Sequence, residues 1–177
     1  DGNISQERLE DCINSDLANN FGNLCQRTLA FAIKNCDQKI PEEINFNVED
    51  KKILDEYSLN LENIRLEIDK QNINYYIDFI VNSLFSANKY FNDQEPWKKK
   101  SDQVRLNTIV YTTLEIIRKI SFLLYPIIPD SSLKALKIFD INENEIIFST
   151  ISNHNYLKLG NKLNTIDILF KKINKND

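Results

Sequence analysis

Apolar residues recur along this chain at spacings of three and four. Leu9, Ile13, Leu17, Phe21, Leu24, Thr28, Phe31 and Ala32 fall within an arc of roughly 140° when residues are plotted at about 100° each, which predicts a first amphipathic helix. Ser5 is placed to cap it, and it should stop before the polar stretch Asn35 to Asn47, where Pro41 disfavours helical geometry in Ile40. A second helix is predicted from Val48 to Lys70, with Ile53, Tyr57, Leu61, Ile64 and Ile68 on one side and acidic Glu49 and Asp50 at its start. A third, Asn72 to Phe91, carries the clearest series: Ile73, Tyr76, Ile77, Ile80, Leu84, Ala87 and Phe91.

The fourth predicted helix, Ser101 to Tyr125, is apolar on most of its circumference and so belongs in the middle of a bundle. Pro126 and Pro129 end it, and Asp130 or Ser131 is placed to cap a short fifth helix reaching Phe139. Beyond lies a less regular tail. Glu145 to Ile151 reads as a short extended piece, and Leu157 to Ile173 has no firm period. The expected fold is therefore all-α, a bundle of about five helices over residues 5–140 with an irregular C-terminal extension over 141–177.

Composition agrees. The 177 residues are 42% hydrophobic and 27% charged, which suits one domain, and only 3 Gly and 4 Pro leave too few tight turns for a many-stranded sheet. The formal net charge of −4 gives no general attraction to a polyanion, so any nucleic-acid contact must be local. Charge is uneven: residues 1–50 hold 4 basic and 10 acidic side chains, whereas residues 97–105 hold 4 basic and 1 acidic.

Cys12, Cys25 and Cys36 form neither a disulfide framework nor a metal knuckle, so we expect reduced thiols in an intracellular compartment and no metal site. The longest apolar run, Ile120 to Ile128, is interrupted by Pro126 and follows Arg118 and Lys119, so no membrane span is expected. No Met occurs, which suggests a piece of a longer polypeptide. Phosphate-binding glycine loops and nucleophile elbows are absent. The single histidine, His154, is expected to be solvated, as are Glu42 and Glu43, and no complete catalytic site is visible.

Two constellations carry candidate chemistry. Asn19, Asn23 and Arg27 stand four apart, in one row along the margin of the first helix's apolar arc, and amides with a guanidinium can read base edges. A polar row of this kind is also what a solvated helix boundary looks like. In the segment Asn88 to Lys100 the only Trp, Trp97, follows Pro96 and precedes Lys98, Lys99 and Lys100. An aromatic face beside cations suits a splayed base and its phosphate, although a Trp could equally plug the end of the bundle.

The run Asn14-Ser15-Asp16-Leu17-Ala18-Asn19-Asn20-Phe21-Gly22-Asn23-Leu24-Cys25-Gln26-Arg27 resembles the N-x-D-L-A-N-x-x-G-N-L-x-x-R opening of the anticodon-binding domains of methionyl-tRNA synthetases. Asn88 to Trp97 resembles that family's N-K-Y-x-x-x-x-x-P-W signature, Asp1 to Ser5 its junction with the catalytic domain, and Asp167 to Ile173 its closing LF-x-[RK]-I segment.

The resemblance implies a helical domain that binds the CAU anticodon loop of methionine tRNA. In it Trp97 would stack on an unstacked base, Asn23 and Arg27 would hydrogen-bond anticodon bases, and Pro96 would hold the ring. It further implies a linker over residues 1–4 from a catalytic domain of the same polypeptide, toward which the extension packs back. There ATP and methionine are used, and the HIGH and KMSKS motifs of that domain are absent from this chain, which should be inactive alone. With no OB-type domain appended, a cytoplasmic monomer is the expected parent. The alternatives are a helical protein-docking module that never touches RNA, and the equivalent domain of another class I synthetase.

Overall fold

The computed structural model describes residues 2–58 and 61–166, with the side chains of residues 2–10, 12 and 13 left aside. The closing segment Asp167 to Ile173 and the side chains of Leu9, Cys12 and Ile13 therefore lie outside the described residues. Among the described residues six α-helices run in order: α1 (Gly2–Asn35), α2 (Val48–Ser58), α3 (Leu61–Asp69), α4 (Ile73–Gln94), α5 (Gln103–Leu124) and α6 (Pro129–Leu136). Single turns of 3₁₀ helix occupy Pro96–Lys98, Lys137–Phe139 and Glu143–Glu145, and a slightly longer one Phe148–Ser152. Among the described residues there is no strand, only an isolated antiparallel bridge between Lys39 and Lys162.

The bundle is built around α5. Every residue from Thr108 to Leu124 is buried, and α1, α2, α4 and α6 pack around it, as its nearly continuous apolar surface predicts. Asp102 caps it, its Oδ1 accepting from the Arg105 amide at 3.1 Å. The predicted stripe on α1 faces this core through Leu17, Phe21, Leu24, Thr28 and Ala32, and α4 faces it through Tyr76, Ile80, Leu84, Ala87 and Phe91. Each of the large apolar side chains among them, Leu, Ile or Phe, contributes on the order of 1.5–3 kcal/mol.

Several boundaries depart from expectation. Ser5 lies inside α1, because nothing before it breaks the helix and the chain is already helical at Gly2. Of the single helix predicted over Val48 to Lys70, the described residues show α2 and α3, and residues 59 and 60 between them lie outside the described residues. Ile73, predicted on the apolar face of α4, is 60% exposed at that helix's open first turn, and Asn72 caps it through the Tyr75 amide. In α6, Ile128 occupies the N-cap and Pro129 the first position, with Asp130 in the first turn, in place of a cap by Asp130 or Ser131.

The expected extended piece, Glu145 to Ile151, is extended only at Ile146 and Ile147, between the 3₁₀ turns Glu143–Glu145 and Phe148–Ser152. A lone strand would leave its amides unpaired, whereas a capping box between Asn142 and Glu145 satisfies the first turn locally. The extension is no loose tail over its described length: Ile141, Ile151, Leu157 and Leu163 are buried in the same core as the bundle.

Candidate nucleic-acid interface

Two features 70 residues apart in sequence, Arg27 and Trp97, meet where α1 crosses the end of α4. Phe91, in the last turns of α4, is buried and meets Phe31 edge-on, with ring centroids 5.8 Å apart and planes at 88°. The Arg27 guanidinium carbon sits 4.6 Å from the Phe91 centroid and 5.9 Å from that of Trp97. Phe91 and Trp97 are themselves 6.1 Å apart with planes inclined at 54°. Such cation–ring pairs are worth about 0.5–2 kcal/mol each and leave the guanidinium N–H groups to other partners.

Arg27 Nη2 donates to Asn92 Oδ1, the one hydrogen bond this guanidinium makes among the described residues. Partial burial draws its pKa below the usual arginine value, but a guanidinium remains charged at neutral pH. Trp97 is 42% exposed, so part of its ring is free to cover a planar ligand. Asn23 is exposed one turn before Arg27, with no hydrogen-bond partner among the described residues, and Asn19 is exposed one turn further back.

The turn presenting Trp97 is tightly bonded. Glu95 adopts a left-handed conformation (φ 47°) and ends α4, since Pro96 bars it from continuing the right-handed helix. Pro96 is buried at the first position of the 3₁₀ turn, where its missing N–H costs nothing. The amides of Lys98, Lys99 and Asp102 donate to the carbonyls of Glu95, Pro96 and Lys99 at 2.9, 3.0 and 2.9 Å.

Beneath the turn, fully buried Asp50 accepts from Arg105 Nη1 and Nη2 at 2.7 and 3.0 Å, from the Tyr90 hydroxyl and from the Asn47 amide. Burial alone would push the Asp50 carboxyl up; the hydrogen bonds from Arg105, Tyr90 and Asn47 outweigh it and hold the group below the usual carboxylate value. Arg105 Nη2 also donates to Gln94 Oε1 at 2.6 Å, and Gln94 Nε2 to Glu49 Oε2 at 2.5 Å.

Of the four residues singled out in the sequence, Arg27, Trp97 and Pro96 converge, and Asn23 lies alongside on the same helix row. Lys98 is exposed and pairs with Glu95 at 3.0 Å; Lys99 is half-buried and Lys100 exposed. Sequence reasoning missed Phe91 as the floor of the cluster, Asn92 as the partner of Arg27, and the Asp50–Arg105 pair. Asp50 stands in the first turn of α2, where a carboxylate is already explained by the helix dipole, so no signal distinguished it.

His154 corrects another expectation. It is not solvated: Nε2 lies 2.8 Å from Asp55 Oδ1 and Nδ1 3.0 Å from Lys119 Nζ, because the extension folds back over α2 and α5. No group of ligating side chains suited to a metal ion occurs among the described residues, nor does any helix long and apolar enough to cross a membrane.

Comparison with known proteins bears on this geometry. A family model described as the anticodon binding domain of methionyl tRNA ligase matches residues 40–177. A methionine–tRNA ligase of Brucella melitensis is 40% identical over 139 residues, covering 78% of this chain and 27% of the relative. One from Rickettsia felis is 35% identical over 176 residues, covering 97% of this chain and 34% of the relative. The crystal structure of the apo form of Mycobacterium tuberculosis methionyl-tRNA synthetase superposes with a TM-score of 0.82 at 32% identity, over 93% of this chain and 34% of that one. The chain thus spans about a third of the length of the curated relatives it matches.

Proposed function

The chain belongs to the family of anticodon-binding domains of methionyl-tRNA ligases, and we propose that it reads the CAU anticodon of methionine tRNA for a parent enzyme that attaches methionine using ATP. The observation that carries this reading is the half-exposed Trp97 ring beside an arginine that, among the described residues, makes a single hydrogen bond, from Nη2 to Asn92. A base pushed out of the anticodon stack can lie on the indole, with the Arg27 fork at its edge. Asn23, one turn away, offers both a donor and an acceptor to the same or the next base. Pro96 limits the swing of the ring. With a chain charge of −4, affinity comes from these local contacts.

ATP and methionine belong to the part of such ligases that this chain does not cover, and the catalytic domain of the same polypeptide is its expected partner. A cytoplasmic monomer completes the reading.

Trp97 is the only tryptophan and so reports on its own site. Titrating the chain with a CAU anticodon stem-loop should quench indole emission saturably, and a scrambled anticodon should not. Trp97→Ala should weaken binding by about 1–3 kcal/mol, the value of one base stack. A folded chain whose emission ignores both RNAs, or whose Trp97→Ala variant binds CAU as well as the parent, overturns the reading and favours a protein-docking module. Preference for another anticodon would assign it to a different class I synthetase.

A further inference from the structure

We infer that Asp50 and Arg105 are positioning residues for the Trp97 platform: their buried pair locks the two ends of the 95–102 turn together and so fixes where the indole stands. Part of this inference, the consequence for RNA, rests on the anticodon reading above; the consequence for Trp97 does not.

The pair and its partners bridge three helices. Asp50 comes from α2, Arg105 from the first turn of α5, and Tyr90 and Gln94 from the end of α4. The turn carrying Trp97 leaves α4 after Gln94 and enters α5 at Gln103, so Gln94 and Arg105 stand on its two sides. The Arg105–Gln94 hydrogen bond at 2.6 Å closes that gap directly, and Asp50 fixes the plane of the guanidinium that makes it. Asp50 is in turn fixed by Tyr90 and by a reciprocal pair with Asn47, its Oδ2 accepting from the Asn47 amide at 2.9 Å and its own amide donating to Asn47 Oδ1 at 3.0 Å.

A buried ion pair is a poor way to gain stability, because desolvation offsets the attraction and an apolar pair of similar size often does as well. What an apolar pair would lack is direction. A guanidinium fork on a carboxylate has one plane and one register, and the second N–H of Arg105 Nη2 then points along a fixed line to Gln94. Pro96 and the left-handed Glu95 stiffen the turn internally; neither prevents it from rocking as a unit about its ends. The pair removes that motion, and Trp97 stays within reach of Arg27.

Two variants test this. Asp50→Asn keeps the shape but removes the charge that orients Arg105. Gln94→Ala cuts the link to the turn and leaves the buried pair intact. In both, with helical content unchanged by circular dichroism, Trp97 emission should shift to the red and acrylamide should quench it more strongly than in the parent. Affinity for the CAU stem-loop should fall about tenfold in Asp50→Asn and less in Gln94→Ala. In a Trp97→Ala background, Asp50→Asn should cost less than about twofold, since residues acting through one group are non-additive.

A merely structural role would lower affinity equally in both backgrounds, and that result overturns the proposal. So does unchanged Trp97 emission in both folded variants. Should Asp50→Asn fail to fold, Gln94→Ala decides alone, by the same emission and quenching measurements. If the parent binds no RNA while the variants still shift Trp97, the positioning role stands and the anticodon reading falls.

Discussion

Arg27 and Arg118 each lie against two aromatic rings, at opposite functional extremes of the same bundle. The Arg27 guanidinium carbon is 4.6 and 5.9 Å from the Phe91 and Trp97 centroids; that of Arg118 is 5.2 and 4.4 Å from Phe122 and Tyr156. Their edges differ. Arg118 is fully buried: Nε and Nη2 donate to Glu115 Oε2 at 3.0 and 2.9 Å, Nη1 to the Thr150 carbonyl at 3.1 Å, and Nη2 also to the Asn153 carbonyl at 2.6 Å. Glu115 spends its other oxygen on the Leu157 amide at 2.6 Å. Stacking with four of its five donors used knits the extension to α5, whereas Arg27 makes one hydrogen bond among the described residues, to Asn92. The aromatic contacts are alike in both; what differs is how far the hydrogen bonds are closed, and under the proposed function that separates a structural arginine from a recognising one.

The largest effect that would separate the two ends is on stability. Arg118→Met should cost about 3–5 kcal/mol, because it strands the buried Glu115 carboxylate, and denaturant unfolding would measure it. Arg27→Met should cost less in the same assay, about 0.5–2 kcal/mol, because methionine still packs on the rings and only the cation–ring attraction and one hydrogen bond are lost on a partly exposed face. On RNA the order reverses. Arg27→Met should weaken CAU binding by about 1.5–3 kcal/mol, the value of a charge-assisted hydrogen bond, and Arg118→Met, assayed where it is still folded, should leave affinity unchanged. Arg27→Lys keeps the charge and loses the fork, so it should recover only part of that loss. An Arg27→Met variant as unstable as Arg118→Met would break the comparison, by making Arg27 a structural residue.

How much of this was legible follows the same division. The faces of α1, α4 and α5 were readable because burial on one side imposes a helical period, and α5 was readable as central because it lacks a polar side. Arg27 and Trp97 were readable as two separate polar constellations. That they meet is a fact of helix crossing, which spacing over 70 residues does not encode; only the resemblance joined them. Arg118 and Lys119 read as charges bordering an apolar run and are instead fully buried with it, because carbonyls at 150–153 supply the acceptors that water would otherwise have to. A sequence shows a charge but not the distant carbonyls that neutralise its cost. For the same reason Asp50 passed as a helix-start acid and His154 as a solvated ring.

The smallest expected effect uses pH to distinguish the two ends. Lys119 Nζ donates to the carbonyls of Ile151 and Asn153 and to His154 Nδ1, whose other nitrogen faces Asp55. Burial first and then Arg118 lower its pKa to about 7, against the opposing pull of Glu115 and Asp55. In the unfolded chain the amine titrates near 10.5, so between these values the unfolded state holds a proton that the folded state has released. Stability must then rise with pH through that window, by at most about 1.4 kcal/mol per pH unit, and this contribution fades as pH falls to 7. Cys25 and Cys36, the latter pushed up to about 11 by burial and Asp37, work in the opposite direction once unfolded thiols ionise, and the buried tyrosines do so at higher pH still. The measurement therefore belongs between pH 7 and about 8.5. There the urea midpoint of the parent should climb and that of Lys119→Met should stay level. Affinity for the CAU stem-loop should be flat over the same range, because the Arg27 guanidinium does not titrate there. An affinity that tracked the stability of the Lys119 end would show that the two ends are coupled.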